Sequence, residues 1–281
     1  MKKTSISILV AIQGELGAFS HSAALKLLGE HITPLPCASF IDVFEALRTN
    51  KVKSAVIPIE NALHGSILEN YDHILRYGFP ICGETLVPIS HHLIAMPGVR
   101  LSEIRRVFSH PVALNQCRHF FERHPKIEAV SFYDTAGSVK MLRDEAPPQA
   151  AAVASEAAAE IYGGKILKRN LEDNRQNFTR FFLLTKQMKT AGLGQAGWKT
   201  SVAFRTSNAP GSLFKVMACF ALRDLNLTKI ESRPLPGRPW EYLFYVDFLG
   251  YHKDKVVQKA LAHLAETTQF SKLLGSYRPT L

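Results

Sequence analysis

Through its first two hundred residues this chain alternates short β-rich runs with longer helix-patterned runs, and that alternation constrains its fold more than any other feature. Residues 6–12 read as a buried strand, and a turn at 13–17 leads into a helix over 20–28. A helix face recurs at Phe40, Val43, Phe44 and Leu47 within 40–48, ahead of a strand at 54–59. The rhythm continues with a helix at 68–75, strands at 82–89, 91–95 and 107–108, and one helix over 111–121. Then come a strand at 129–132, a helix at 135–142, a strand at 150–153, a helix at 156–162 and a strand at 177–184. Strands alternating with helices predict βαβ units and mostly parallel sheets, an α/β fold.

The rhythm then breaks. Residues 189–199 hold Gly192, Gly194 and Gly197 with no apolar period, the composition of a linker. Residues 200–281 read as strand (200–205), helix (210–222), strand (227–233), strand (242–248) and helix (256–265), with room for a final strand. That order suits a ferredoxin-like α+β unit. A length of 281 residues fits about two domains. The net charge of +10 divides evenly between 1–199 and 200–281, and no five like charges are consecutive. A diffuse surplus attracts small anions and does not make a phosphate-tracking stripe, so no nucleic-acid partner is expected. Four cysteines, Cys37, Cys82, Cys117 and Cys219, form no CxxC pair, which fits reduced thiols in a cytoplasmic protein. The eleven histidines form no HxxxH or HExxH pair, so no metal is expected. The apolar stretch behind Lys2-Lys3 reads as a strand and not as a leader, and no apolar run reaches 18 residues, so no membrane span is expected.

Several short segments could carry chemistry. Gly14-Glu15-Leu16-Gly17-Ala18-Phe19-Ser20 sits between a strand and a helix, where glycines let a ligand approach the backbone and free amides favour an anion. It reads equally as a tight turn with no ligand. Pro58-Ile59-Glu60-Asn61, with His64-Gly65-Ser66, ends a strand, and ligands of open parallel sheets collect at such ends. Asn61 and Ser66 can hydrogen-bond a carboxylate or hydroxyl, or simply cap a helix. Ser109-His110-Pro111 reads as an N-cap at Ser109 with Pro111 in the first turn. Asp134-Thr135 and Ser155-Glu156 are further cap signals. In Asn177-Phe178-Thr179-Arg180-Phe181, Thr179 and Arg180 face opposite sides of a strand. A buried arginine needs a partner, either Glu60 or Glu156 or a bound anion.

Taken in order along the chain, these segments resemble the prephenate dehydratase family. The match covers Gly14–Ser20, the Val56-Ile57-Pro58-Ile59-Glu60-Asn61 run with Gly65-Ser66, Ser109-His110-Pro111 with Gln116-Cys117, Asp134-Thr135-Ala136-Gly137-Ser138, and Asn177–Phe181. The tail resembles an ACT regulatory domain, on Asn208-Ala209-Pro210-Gly211-Ser212-Leu213-Phe214 and Glu231-Ser232-Arg233-Pro234. The family usually has alanine where Ser212 stands.

The resemblance implies a catalytic part over 1–188, built like a periplasmic binding protein from two lobes, 1–78 with 170–188 and 79–169. The chain would cross near 77–80 and return near 166–175, with the ACT domain at 200–281. It implies a carbon–oxygen lyase that turns prephenate into phenylpyruvate, water and carbon dioxide without a cofactor, on the way to phenylalanine. Loss of hydroxide and carbon dioxide makes the ring aromatic, so neither cofactor nor covalent nucleophile is required. Thr179 would contact the leaving hydroxyl. Asn61, Ser66, Ser109, Gln116, Thr135, Arg180, Ala18 and Phe181 would surround the substrate. Asn208, Ala209, Pro210, Gly211, Ser212, Leu213, Glu231, Ser232 and Arg233 would bind L-phenylalanine as allosteric effector, in a homodimer or homotetramer. Two rival readings stay open: arogenate as substrate, giving phenylalanine directly, and a two-lobe ligand sensor without catalysis.

Overall fold

A computed structural model describes residues 7–188, 197–235, 237 and 240–280. Its elements run β1 (Ile8–Gln13), α1 (Phe19–Leu28), β2 (Ile32–Cys37), α2 (Phe40–Arg48), β3 (Ser54–Asn61), β4 (Gly65–Ser66), α3 (Leu68–Tyr77), β5 (Ile81–Pro88) and β6 (His92–Ala95). Next come β7 (Arg106–Ser109), α4 (Pro111–Asn115), α5 (Arg118–Arg123), β8 (Glu128–Ser131), α6 (Thr135–Glu145), β9 (Ala150–Ala154), α7 (Glu156–Tyr162), β10 (Lys165–Lys168) and β11 (Phe178–Thr185). The last part holds β12 (Lys199–Arg205), α8 (Ser212–Ala221), β13 (Leu227–Pro234), β14 (Tyr242–Leu249), α9 (Lys255–Thr267), β15 (Phe270–Tyr277) and β16 (Pro279–Thr280). The fold is mixed α/β. The chain divides into two compact units, one of residues 1–65 with 86–181 and the other of 66–85 with 182–281.

The first unit contains two α/β layers. In one, β1 lies parallel to both β2 and β3. In the other, β9 is the central strand, parallel to β7 and antiparallel to β6, with β8 and β10 outside. All five residues of β9 are buried, and all but one are alanine. Small side chains let α6 and α7 press on one face through Val139, Leu142 and Ala158, while Leu114 and Phe120 cover the other. A strand buried on both faces is the mark of parallel α/β layers.

The second unit repeats the expected ferredoxin-like pattern over β12–α8–β13–β14–α9–β15. Its strands lie in the order β13-β14-β12-β15, with β12 antiparallel to both neighbours. Val202, Phe204, Val246 and Phe248 point to one face, where Val216, Phe220, Val257 and Leu264 of the two helices bury them. The segment 66–85, expected to divide between the two lobes at about residue 78, groups instead by its contacts with 182–281. Of the expected linker, 189–196 lie outside the described residues, as does Ile6 of the expected first strand.

One element has no counterpart in the sequence analysis, and two expectations need correction. A strand, β2, occupies Ile-Thr-Pro-Leu-Pro-Cys, a stretch to which no element had been assigned. It is an edge strand, and the prolines at alternate positions, Pro34 and Pro36, need lose no ladder bond to β1. The single helix over 111–121 is two helices, α4 and α5, broken at Gln116-Cys117. The break is held from far along the chain, because the Asp173 carboxylate accepts from the Arg118 and His119 backbone N–H groups at 2.9 and 3.1 Å. The cap of α4 is His110, whose Nδ1 accepts from Val112 N–H at 3.3 Å, and not Ser109, which ends β7.

Candidate active site

The candidate site gathers around Asn61, at the carboxyl end of β3. Its Oδ1 accepts from the backbone N–H of Leu63 and His64 at 3.0 and 3.1 Å, closing the turn that leaves the strand. That fixes the amide with its nitrogen facing β11. Asn61 Nδ2 donates to Thr179 Oγ1 at 2.9 Å, to Asn177 Oδ1 at 2.8 Å and to the Phe178 carbonyl at 3.3 Å. The Thr179 oxygen therefore accepts, and among the described residues its own O–H is not spent on any acceptor. Asn177 is fully buried, and its Nδ2 finds no partner among the described residues. An unanswered buried donor is costly, by about 1–3 kcal/mol, unless something else accepts from it. Residues 177 and 179 share one face of the strand, so both face the same side.

A second group joins through the turn. His64 Nδ1 lies 3.2 Å from Asn61 Oδ1 and 3.2 Å from Gln116 Nε2. Gln116 Oε1 lies 2.8 Å from His91 Nε2, and the Gln116 carbonyl accepts from Asp173 N–H at 2.7 Å. The interruption between α4 and α5 is what turns Gln116 this way. His91 is buried with its ring edge on Phe19, and burial lowers its pKa, so the ring is held neutral. Leu63, His64, Gln116, Arg118, His119 and Asp173 line a cavity of about 480 Å³, within the range of small-molecule sites.

The glycines of the turn are required by packing. A Cβ on Gly14 would lie 2.6 Å from an Asp134 oxygen, and one on Gly17 would lie 2.7–2.8 Å from the Ala158 backbone. Both glycines also have positive φ, +91° and +85°. They are small because the starts of α6 and α7 press on them. Asp134 caps α6 by accepting from Gly137 N–H at 2.6 Å and also accepts from Glu15 N–H at 3.4 Å. Burial raises the Asp134 carboxyl above its ordinary pKa, and those two N–H groups oppose the rise. Ser155 caps α7 and donates to the Gly17 carbonyl at 2.5 Å.

The remaining expected residues separate into those near this group and those spent elsewhere. Thr135 opens α6 beside its cap, half-buried. Ala18 is the N-cap of α1, but its N–H is taken by the Glu15 carbonyl at 3.1 Å. Ser109 is fully buried and donates to the Val153 carbonyl at 2.5 Å, so its hydroxyl stitches β7 to β9. Arg180 turns away from Thr179 and lies 3.5 Å from Glu60, the ion-pair reading of that residue. Phe181 is buried in the core. Ser66 donates to Glu231 at 2.5 Å and accepts from Lys229 at 2.9 Å, which places it with the second unit's β13. On that strand Arg233 pairs with Asp72 of α3, and Ser232 is exposed. Asn208, Ala209 and Pro210 lie exposed ahead of Gly211, whose φ of +77° starts α8. Ser212 Oγ lies 3.1 Å from Ser207 Oγ, and Leu213 is exposed. Sequence reasoning passed over His64, His91 and Asn177 as site residues. The shared strand face with Thr179 was a usable signal for Asn177; nothing in the sequence distinguished the two histidines.

The prephenate dehydratase family model matches residues 10–189. The chain is 45% identical over 280 residues to arogenate dehydratase/prephenate dehydratase 2 of Arabidopsis thaliana, covering 96% of this chain and 72% of that one. It is 38% identical over 277 residues to the bifunctional chorismate mutase/prephenate dehydratase of Aquifex aeolicus, covering 98% and 74%. Among solved structures it is similar to a prephenate dehydratase of Arthrobacter aurescens in complex with L-Phe, at a TM-score of 0.86 and 33% identity, covering 96% and 90%. It is also similar to GqqA, described as a quorum quenching acylase, at a TM-score of 0.87 and 32% identity, covering 96% and 98%. With the family model spanning the whole group from Gly14 to Phe181 and these relatives matched along nearly all of the chain, this chain belongs to the prephenate dehydratase family and is a dehydratase of the lyase class.

Proposed function

We propose that the chain removes water and carbon dioxide from prephenate to give phenylpyruvate, with the Thr179 hydroxyl at the departing oxygen. The observation that carries this reading is the 2.9 Å bond from Asn61 Nδ2 to Thr179 Oγ1. It occupies the oxygen as an acceptor and leaves the O–H to donate. The C–O bond breaks as the ring carboxylate's electrons move into the ring, carbon dioxide departs, and the leaving hydroxide takes a proton to become water. A threonine hydroxyl is too weak an acid to lose its proton outright, so its part is to hydrogen-bond the leaving oxygen, while the proton that completes the water comes from solvent. Asn177 and Gln116 supply uncharged donors, Asn61 holds Thr179 in place, and Thr135 at the start of α6 adds a position near a helix terminus. Arg180 contributes by holding Glu60 on the opposite strand face.

Residues 200–281 act as an ACT-type regulatory domain for L-phenylalanine, with Asn208–Leu213 and Glu231–Arg233 as the binding segments. The ferredoxin-like strand order and the L-Phe complex of the Arthrobacter relative support this. Assembly into a homodimer or homotetramer is supported by exposed apolar groups on this unit, Phe214 and Leu222 at 76% and Ile230 at 48% exposure. Four free cysteines support a reducing compartment, the cytoplasm.

Arogenate is a second reading, favoured by the 45% identity to a relative named for both substrates. The test is turnover of prephenate and of arogenate, with and without L-phenylalanine. The account expects phenylpyruvate from prephenate, the higher kcat/KM on prephenate, and inhibition by phenylalanine. Turnover of arogenate alone would replace the substrate, and turnover of neither would leave a ligand sensor.

A further inference from the structure

We propose that His64 is a positioning residue for this dehydration, holding Asn61 and Gln116 in register with Thr179 through a single ring nitrogen; the proposal rests on the reading of the Asn61–Thr179 site above. His64 sits in the turn that leaves β3. Its backbone N–H and its ring Nδ1 both meet the same atom, Asn61 Oδ1, at 3.1 and 3.2 Å. With Leu63 N–H at 3.0 Å, three groups converge on that oxygen. An amide oxygen so held cannot exchange places with its nitrogen, and the nitrogen is what reaches Thr179 and Asn177.

The same Nδ1 lies 3.2 Å from Gln116 Nε2. With the Gln116 nitrogen facing it, the ring nitrogen cannot serve both neighbours. As N–H it donates to Asn61 and meets a second donor at Gln116; as a lone pair it accepts from Gln116 and faces the oxygen of Asn61. Turning the Gln116 amide over resolves the clash. The His64 N–H is then shared between the Asn61 and Gln116 oxygens, and the Gln116 NH2 donates to the neutral His91 Nε2, 2.8 Å from the far end of the same amide. The tautomer of His64 thus sets the orientation of Gln116 and the hold on Asn61 together. His64 is exposed and packs little, so its loss should leave the fold intact while loosening two substrate-facing amides.

The variants that separate this role from bulk are His64→Asn, His64→Gln and His64→Ala. An asparagine amide reaches the position of Nδ1; a glutamine amide overshoots it. On prephenate, H64A and H64Q should lose about 10-fold in kcat, the scale of a small misplacement of reacting groups, with KM nearly unchanged. H64N should stay within about 2-fold of the native chain, and melting temperatures should agree across the set. Equal kcat in H64N and H64A overturns the proposal, as does native kcat in H64A and H64Q. Thr179→Val in the same assay distinguishes the levels: if it is inactive while all His64 variants are native-like, only the role of His64 falls; if it is fully active, the site reading itself falls.

Discussion

Asn61 and Ser66 lie five residues apart in the sequence and belong to two differently built polar clusters. The side chains that bond around Asn61 are a second asparagine, a threonine, a glutamine and two histidines, of which His91 is held uncharged by burial. Their hydrogen-bonding capacity is not fully used, as the unanswered Asn177 Nδ2 shows. Around Ser66 the groups are ionic and paired: Lys229 with Glu231, Arg233 with Asp72, and the serine between Lys229 and Glu231, while Arg233 Nε finds no partner among the described residues. A cluster of neutral donors is suited to taking up an anion that brings its own charge. A cluster of paired charges is suited to holding elements together and to releasing them when a charged effector competes.

The comparison can be tested first through packing that the neutral cluster depends on. Gly17→Ala should destabilise the protein by several kcal/mol, because φ of +85° and the Ala158 backbone leave a Cβ no room. A chemical-denaturation midpoint close to native would show that the turn is not pressed by α7.

Next in size is the effect of acid. Folding lowers the pKa of His91 below 6.5, so it favours the neutral ring. That contribution to stability is present above pH 6.5 and is lost as the pH falls through the folded value. His21, His92, His110 and His252 shift in the same direction for the same reason, burial. The melting temperature should therefore drop between pH 7.5 and pH 5.5, and His91→Asn should flatten part of that drop. An identical drop in the variant would mean that His91 is not buried neutral.

The smallest effect belongs to the ionic cluster. Asp72→Asn removes a pair whose two side chains are 26% and 43% exposed, so it should cost less than about 1 kcal/mol, and less still at high salt. Catalysis should stay near native while inhibition by phenylalanine weakens. Undiminished inhibition would remove the pair from the regulatory account.

Much of this was legible in the residues themselves. Alternating runs gave the α/β layers, and Asp134 and Ser155 cap their helices as their spacing implied. Strand alternation separated Thr179 from Arg180, and Glu60, which lies 3.5 Å from Arg180, was one of three partners the sequence left open for it. What stayed hidden depends on distant chain. Asp173 caps α5 across more than fifty residues and makes the break that turns Gln116 toward His91. The packing that requires glycine in the first turn was hidden because nothing local says that α6 and α7 dock there. Ser109 looked available because its acceptor, the Val153 carbonyl, lies on another strand.

The central claim is that the Thr179 hydroxyl assists the departure of the substrate's oxygen. Measuring kcat on prephenate for Thr179→Ser and Thr179→Val tests it most directly, since both keep a small side chain on β11 and only the first keeps a hydroxyl. The account predicts a Thr179→Ser enzyme that remains active and a Thr179→Val enzyme slower by about 10²-fold or more, with both folded. Equal kcat in the two variants would contradict it.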